Sequence, residues 1–383
     1  MRGLKKWPMT CRISFGRCVH NHLPIGLAKQ EINVNPTFDE LKFYTQAVFQ
    51  AVGVSEQDAS NSAEVLATTD AMGVFTHGTK LLSGYIRKLQ GGGYRSNASP
   101  VIEREGPGWA IVDGQSALGQ VGSQFCIDLA MDKAATVGVA YIGLRNTGHI
   151  GAAGFYTQKA ARQGFIAMVT GNDIPSVAAP GSKGPVLGSN PIAYGVPVPG
   201  REPINLDIAT AAVAGGKVYA AHQRGEVIPN NWLIDSDGNP TNDGSLYPAN
   251  ASLAPMAGHK GYGFGLWCEI LSGALPGGQM RWDVGSWMFD PTDQPSWHNA
   301  GFMVMDTKVI ADAEDYSQRM NKLVDEIHEV ETADGVERVI LPGEREWANV
   351  AQSLETGINL PADVRSKLLE TLELTDLRPN WLG

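Results

Sequence analysis

Two histidines with glycine neighbours are the first candidates for chemistry in this sequence. His77 precedes Gly78, and His149 follows Gly148. Imidazole titrates near neutral pH, so a histidine whose backbone surroundings leave room for a ligand suits proton transfer. The alternative for each is a capping or hydrogen-bonded histidine with a purely structural role.

Two charged residues could complete such a site. Asp207 ends an apolar run that predicts a strand, and a carboxylate there could orient a histidine or bind a ribose; the alternative is an N-cap or a turn. Lys260 lies in the glycine-rich run 258–263, near a predicted helix start, where a cation and the helix dipole together suit a phosphate. The alternative for Lys260 is a solvated side chain.

The elements that must position these residues are readable from capping signals and apolar periodicity. Thr37 with Glu40 and Ser55 with Asp58 predict two helix starts in a helical first third that ends at glycines 91–93. Beyond it, strands are predicted at 109–112, 139–144, 165–170, 203–208 and 302–306, and helices at 119–138, 152–163, 258–275 and from 311. The alternation lacks a regular βαβ rhythm, which favours an α+β fold over a doubly wound sheet.

Composition excludes several classes of protein. The chain has 383 residues, of which 43% are apolar and 18% charged, so it can bury a sizeable core. Its net charge of −10 disfavours nucleic-acid binding, and no run approaches the ~20 apolar residues that cross a membrane. The four cysteines are too dispersed for a disulfide framework, so we expect a reducing, cytoplasmic location.

Residues 1–35 differ from the rest of the chain because they are basic and nearly free of acidic residues. We predict an appended, disordered tail, with an organellar transit peptide or an early start codon as alternatives. Cys11, Cys18, His20 and His22 match no common metal-binding spacing, so no metal site is predicted.

Standard catalytic signatures are absent from the sequence. There is no G-x-G-x-x-G, no P-loop, no H-E-x-x-H, no paired C-x-x-C and no G-x-S-x-G. These absences disfavour a Rossmann dinucleotide site, P-loop phosphoryl transfer, zinc proteolysis and α/β-hydrolase chemistry.

An ordered series of short motifs resembles the malate/L-lactate dehydrogenase family. The series comprises Thr76-His77-Gly78, Gly119-Gln120, 148–156, 188–191, 207–210, 258–263 and Pro342-Gly343-Glu344. The resemblance extends from about residue 37 to the C-terminus and leaves the basic tail unmatched. The family includes ureidoglycolate and sulfolactate dehydrogenases and cyclic-imine carboxylate reductases.

The resemblance implies a fold and an activity. It implies a helical domain, residues 36–105 joined by about 311–383, and an α+β domain, 106–310, around a mostly antiparallel sheet that binds NAD or NADP without a Rossmann fold. It also implies a homodimer that exchanges a hydride between the nicotinamide and a small 2-hydroxy acid, 2-oxo acid or close analogue, with no metal.

The resemblance also implies roles for individual residues. His149 and His77 match the active-site histidines. The implied cofactor contacts are Asp173, Asp207, Ile208, Ala209, Lys260, Gly261, Pro342, Gly343 and Glu344. The implied substrate contacts are Thr76, Lys80, Asn172 and His298.

Two departures from the family bear on the substrate. Leu81 and His298 stand where family members have arginines, and neither side chain reproduces the two parallel hydrogen bonds of a guanidinium to a carboxylate. Either Lys80 or another cation substitutes, or the substrate is not an ordinary 2-hydroxy acid. The alternatives to a hydroxy-acid dehydrogenase are a cofactor-binding protein without turnover and a cyclic-imine carboxylate reductase.

Overall fold

The structure is a computed structural model that describes residues 35–382. The predicted disordered tail lies outside these residues, apart from residue 35. The α-helices are α1 Phe38–Ala51, α2 Glu56–Ala71, α3 Leu82–Gly91, α4 Gly119–Val137, α5 Ala153–Ala161, α6 Gly215–Gln223, α7 His259–Glu269, α8 Thr307–Ile310, α9 Ala313–His328, α10 Glu344–Thr356 and α11 Ala362–Thr375. The strands are β1 Val101–Gly106, β2 Trp109–Asp113, β3 Val139–Thr147, β4 Phe165–Gly171, β5 Val177–Ala178, β6 Pro185–Leu187, β7 Ile192–Val196, β8 Ile204–Ile208, β9 Leu233–Asp235, β10 Pro240–Thr241, β11 Ala251–Leu253 and β12 His298–Asp306.

A seven-stranded sheet with the order β1-β2-β3-β12-β4-β7-β8 forms the centre of the fold. Every neighbouring pair is antiparallel except β2 with β3, so the expectation of a mostly antiparallel sheet is confirmed. Helices α4 and α5 pack on this sheet, and the apolar side chains between them form a buried core.

The strand directions bring several loops to one edge of the large sheet. His298, at the start of β12, pairs with Thr147 at the end of β3, and Ala300 pairs with Gly171 at the end of β4. Across β7, Ile192 pairs with Ile208 at the end of β8. The loops that follow β3, β4 and β8 therefore meet at this edge.

A helical core combines the two ends of the described chain. Buried side chains of α1, α2, α3 and α11 pack together, including Leu41, Leu66, Leu82 and Leu368. The predicted capping box is present, because Thr37 Oγ1 accepts from the Glu40 N–H at 3.2 Å and the Glu40 carboxylate accepts from the Thr37 N–H at 2.8 Å.

Helix α9 packs against the connection between β7 and β8 and not in the helical core. The hydroxyl of Tyr316 donates to the carbonyl of Pro197 at 2.9 Å, and Arg201 pairs with Asp325 at 2.7 Å.

A second, five-stranded sheet with the order β10-β9-β11-β5-β6 was not predicted from the sequence. Its strands are only two or three residues long, too short for a reliable alternation of polar and apolar residues. None of the helices between residues 35 and 382 combines the length and apolarity that a membrane span requires.

Candidate active site

His77 and His149 come from different parts of the fold and meet. His77 lies in the turn between α2 and α3, and His149 lies between β3 and α5. The centroids of their rings are 5.8 Å apart. Two histidines that are distant in sequence therefore face each other where the helical core meets the edge of the large sheet.

The turn that carries His77 is fixed by a buried carboxyl group. Asp70, 1% exposed, accepts hydrogen bonds from the backbone N–H and the hydroxyl of Thr79 at 3.0 and 2.5 Å. A Cβ atom at Gly78 would overlap this carboxyl group, and burial raises the pKa of Asp70 to about 7. The Thr76 hydroxyl lies 3.0 Å from Nδ1 of His77.

His149 is held on three sides. The Tyr85 hydroxyl lies 2.8 Å from its Nδ1, its backbone N–H donates to the Tyr94 hydroxyl at 3.1 Å, and Trp287 stacks on its ring with centroids 4.9 Å apart. Within residues 35–382, no hydrogen bond reaches Nε2 of either His77 or His149. Each ring therefore has one engaged nitrogen and one available nitrogen.

The segment that carries Trp287 is tied to α3 by a buried lysine. Lys88 is 1% exposed and donates to the carbonyl oxygens of Pro291 and Gln294, both at 2.9 Å. Burial lowers the pKa of Lys88, and the carbonyl contacts compensate the buried ammonium.

Both site histidines favour the neutral form. Desolvation by the surrounding protein lowers the pKa of His77. The negative charge of Asp173 raises this pKa, but by a smaller amount. Desolvation also lowers the pKa of His149 well below its ordinary value, and the nearby His298 and His77 rings lower it further. A neutral imidazole with a free nitrogen can accept a proton from a ligand.

His298, expected to contact substrate, has both ring nitrogens engaged by the protein. Nδ1 lies 2.9 Å from the Ser296 hydroxyl, and Nε2 lies 3.2 Å from Oδ1 of Asp173. The ring is 3% exposed and stands edge-on to His149 at 5.8 Å. His298 therefore belongs to the cluster, but its nitrogens are not free for a substrate carboxylate.

Two other expected substrate contacts also have protein partners. Asn172 is 3% exposed; its side-chain oxygen accepts from the backbone N–H of Asn299 at 3.1 Å, and its Nδ2 donates to the carbonyl of Gln279 at 2.9 Å. The Lys80 ammonium pairs with Asp363 on α11 at 2.7 Å. The structure does not bring the Lys80 ammonium into the histidine cluster.

Several of the expected cofactor contacts lie along β8, with Asp207 near its end and the Pro342-Gly343 segment beside Asn205 near its start. Oδ2 of Asp207 accepts from the backbone N–H of Gly154 at the start of α5, at 2.7 Å. The Asp207 side chain remains accessible to solvent. The protein around it partly desolvates the carboxylate, and this desolvation raises the pKa of Asp207 to about 6. The carbonyl of Pro342 accepts from the backbone N–H of Asn205 in β8 at 2.9 Å, and Gly343 packs against Asn205. Ile208 and Ala209, partly exposed, follow directly.

The start of α7 is joined to the segment after β8. The backbone N–H of Met256 donates to the carbonyl of Thr210 at 2.9 Å, and Gly261 packs against Met256. Lys260 is exposed in the first turn of α7. Glu344, by contrast, is occupied by His328 at 2.8 Å and Arg338 at 3.4 Å.

Tyr85, Tyr94, Trp287 and Asp70 were missed by sequence reasoning. The tyrosines sit at helical or turn positions with the spacing of core residues, and nothing near Trp287 signals a ring stack. Within the described part of the chain, no group of three or more His, Cys, Asp or Glu side chains is arranged to hold a metal ion.

Comparison of the sequence with known proteins identifies the family to which this chain is similar. The family model described as malate/L-lactate dehydrogenase matches residues 37–369. A malate dehydrogenase of Pyrococcus abyssi is 33% identical over 87% of this chain and 92% of its own.

Solved structures of similar proteins superpose on this chain over most of its length. The sulfolactate dehydrogenase of Methanocaldococcus jannaschii superposes with a TM-score of 0.83 at 30% identity, over 90% of this chain and 98% of its own. The delta1-piperideine-2-carboxylate reductase of Pseudomonas syringae pv. tomato superposes with a TM-score of 0.79 at 31% identity, over 89% and 99%.

Proposed function

The chain belongs to the malate/L-lactate dehydrogenase family, and we propose that the cluster around His77 and His149 is its active site. It is an NAD(P)-dependent oxidoreductase that exchanges a hydride with the CH–OH group of a small 2-hydroxy acid, or with the carbonyl of the corresponding 2-oxo acid. The observation that carries the site assignment is the 5.8 Å approach of two histidine rings, each with one nitrogen available.

The protein residues supply proton transfer and orientation. A nicotinamide cofactor, when bound, would supply or take up the hydride. An available imidazole nitrogen takes the hydroxyl proton when substrate is oxidised and returns it to the carbonyl oxygen when substrate is reduced. The lowered pKa values of His77 and His149 suit the base role, because the neutral ring is the form that takes a proton.

The residues beside the cluster fit a dinucleotide. The accessible carboxylate of Asp207 can accept hydrogen bonds from ribose hydroxyls, and Ile208 and Ala209 offer partly exposed surface next to it. Lys260 at the start of α7 combines a cation with a helix N-terminus that no side chain of the described residues caps, a combination that suits phosphates. We assign Asp173, Gly261 and the Pro342-Gly343-Glu344 segment to the surroundings of the same cofactor.

Lys260→Ala is expected to weaken binding of NAD(P) by one to two decades, because a lost charged hydrogen bond is worth about 1.5–3 kcal/mol. The turnover number at saturating cofactor should stay near the wild-type value. Titration of tryptophan fluorescence with the dinucleotide measures the affinity. Lys322→Ala on α9, an exposed residue paired with Glu326, is the control, and unchanged affinity in Lys260→Ala would count against the assignment.

Malate is expected to be a poorer substrate than a monocarboxylate such as lactate, by one to two decades in kcat/KM. The second carboxylate of malate needs a cation, but Leu81 carries none, the nitrogens of His298 are engaged, and Lys80 pairs with Asp363. Steady-state kinetics on both acids measure the ratio. Efficient turnover of malate with a low KM would refute this prediction and implicate another cation, such as Arg145 or Arg281.

We also propose a cytoplasmic homodimer made of two-domain subunits. Residues 36–105 with the C-terminal part of the chain, about 311–383, would contribute His77 and the Pro342-Gly343-Glu344 segment, although α9 of that part packs on the β7–β8 connection. Residues 106–310 would contribute His149 and the other cofactor contacts. Exposed apolar side chains along the helical run that begins at α7 support self-association; they are Phe264, Trp267, Ile270 and Leu275.

Addition of NADH or NADPH to the purified protein with a panel of 2-oxo acids and cyclic imines tests the proposed function. Oxidation of the cofactor by a 2-oxo acid supports it. Oxidation by cyclic imines alone would favour the reductase, and binding without oxidation by any acceptor would favour a cofactor-binding protein without turnover.

A further inference from the structure

Tyr85 is a buried tyrosine whose hydroxyl contacts a proposed catalytic residue. It lies in α3, is 0% exposed, and its hydroxyl oxygen is 2.8 Å from Nδ1 of His149. Its ring packs on Trp287 with centroids 5.0 Å apart, and Trp287 stacks on His149. Tyr85 and Trp287 therefore restrain both a ring nitrogen and a ring face of His149.

The direction of the Tyr85–His149 hydrogen bond decides which imidazole nitrogen can act on substrate. Nε2 of His149 has no hydrogen bond from residues 35–382, so it is the nitrogen left for substrate. Nε2 of a neutral imidazole can accept a proton only when the ring hydrogen is on Nδ1. In that tautomer, Nδ1–H donates to the Tyr85 oxygen.

The surroundings of Tyr85 allow this direction. Burial raises the pKa of Tyr85 well above its ordinary value, so the hydroxyl keeps its own hydrogen. The buried carboxamide of Gln120 lies next to this hydroxyl, and neither its oxygen nor its nitrogen has a hydrogen-bond partner among the described residues. The Tyr85 hydroxyl can therefore accept from Nδ1 and direct its hydrogen toward the Gln120 oxygen.

We propose that Tyr85 is a positioning residue that keeps the hydrogen of neutral His149 on Nδ1 and leaves Nε2 free for the substrate proton. This inference rests on the proposed catalytic role of His149. During oxidation the substrate O–H bond would break as its proton moves to Nε2, the C–H bond would break as its hydride leaves with both electrons to a bound nicotinamide, and the C=O bond would form. Reduction reverses each of these transfers, and Tyr85 gains or loses no proton in either direction.

Tyr85→Phe is expected to lower kcat by about 10–100-fold, the usual range for loss of a group that orients a functional histidine. KM should change little, because Tyr85 does not touch substrate. Without the Tyr85 oxygen as acceptor, the imidazolium form of His149 is less stabilised, so the pKa of His149 should fall. The acidic limb of the pH profile of kcat/KM for oxidation should therefore move to lower pH. A purely structural role would not move this limb.

Tyr44→Phe is the matched control. Tyr44 is also buried, and its hydroxyl contacts Thr371 in the helical core rather than the site. Its kcat and pH profile should match those of the wild type. Wild-type kcat and an unchanged pH profile in Tyr85→Phe, with kcat strongly reduced in His149→Ala, would overturn the inference. Wild-type kcat in His149→Ala would instead overturn the proposed catalytic role of His149, on which the inference rests.

The tautomer can also be measured in the wild-type protein, independently of how Tyr85→Phe folds. Nitrogen NMR of ¹⁵N-histidine-labelled protein, with the His149 signals assigned by their loss in His149→Gln, reports which ring nitrogen carries hydrogen. Hydrogen on Nδ1 supports the inference. Hydrogen on Nε2 of the neutral ring would overturn it.

Discussion

His149→Ala is expected to lower kcat by roughly 10²–10⁴, the range for loss of a general acid or base. The physical reason is the loss of the available Nε2 of a ring that Tyr85, Tyr94 and Trp287 hold in place. Its pKa, which desolvation lowers well below the ordinary value, keeps this nitrogen unprotonated at neutral pH. Steady-state kinetics in the oxidation direction, with cofactor saturating, measure the effect.

His77→Ala is the companion variant and is expected to lower kcat within the same range. His222→Ala is the control, because His222 is exposed on α6 and lies outside the cluster. Folding of each variant is checked by circular dichroism. Wild-type kcat in both His77→Ala and His149→Ala would show that the cluster does not carry the proton transfer.

Gly119→Ala is expected to have the second large effect, on stability and activity together. A Cβ atom at this first residue of α4 would overlap the carbonyl groups of His149 and Gly148, the latter at 2.5 Å. Backbone atoms cannot move aside as a flexible side chain can, so the His149 loop must shift. Overpacking of this kind costs about 1–3 kcal/mol or more.

Urea denaturation and kcat measure the two effects of Gly119→Ala. Gly216→Ala is the matched control, because a Cβ at this position in α6 would meet no atom within 4 Å; it should be neutral or stabilising by up to about 1 kcal/mol. Wild-type stability and kcat in Gly119→Ala would show that the close approach of α4 does not fix His149.

Most of the helices and the strands β2, β3, β4, β8 and β12 could be predicted from the sequence because their signals are local, whereas α6, β1 and β7 were not predicted. The cap at Thr37 and the left-handed Gly92 that ends α3 each follow from a few neighbouring residues. The second sheet could not be predicted, since strands such as β5 and β10 are defined by their partners rather than by their own pattern.

The arrangement of the candidate site also could not be predicted from local sequence patterns alone. The glycine context of His77 and His149 marked them, but their mutual approach depends on how the helical core joins the sheet. Tyr85 looks like any apolar-face residue of α3 until its hydroxyl is located beside Nδ1 of His149. His298 was expected to contact substrate, and only the structure shows that Ser296 and Asp173 occupy its nitrogens.

The most direct measurement of the proposed activity is deuterium transfer. The protein is incubated with NADH or NADPH deuterated at C4 of the nicotinamide and with a monocarboxylic 2-oxo acid, and the hydroxy acid formed is analysed by mass spectrometry. We expect one deuterium on the carbinol carbon of the product, and strongly reduced labelling with His149→Ala in the same time. Cofactor binding without deuterium in any hydroxy-acid product would contradict the proposed hydride transfer.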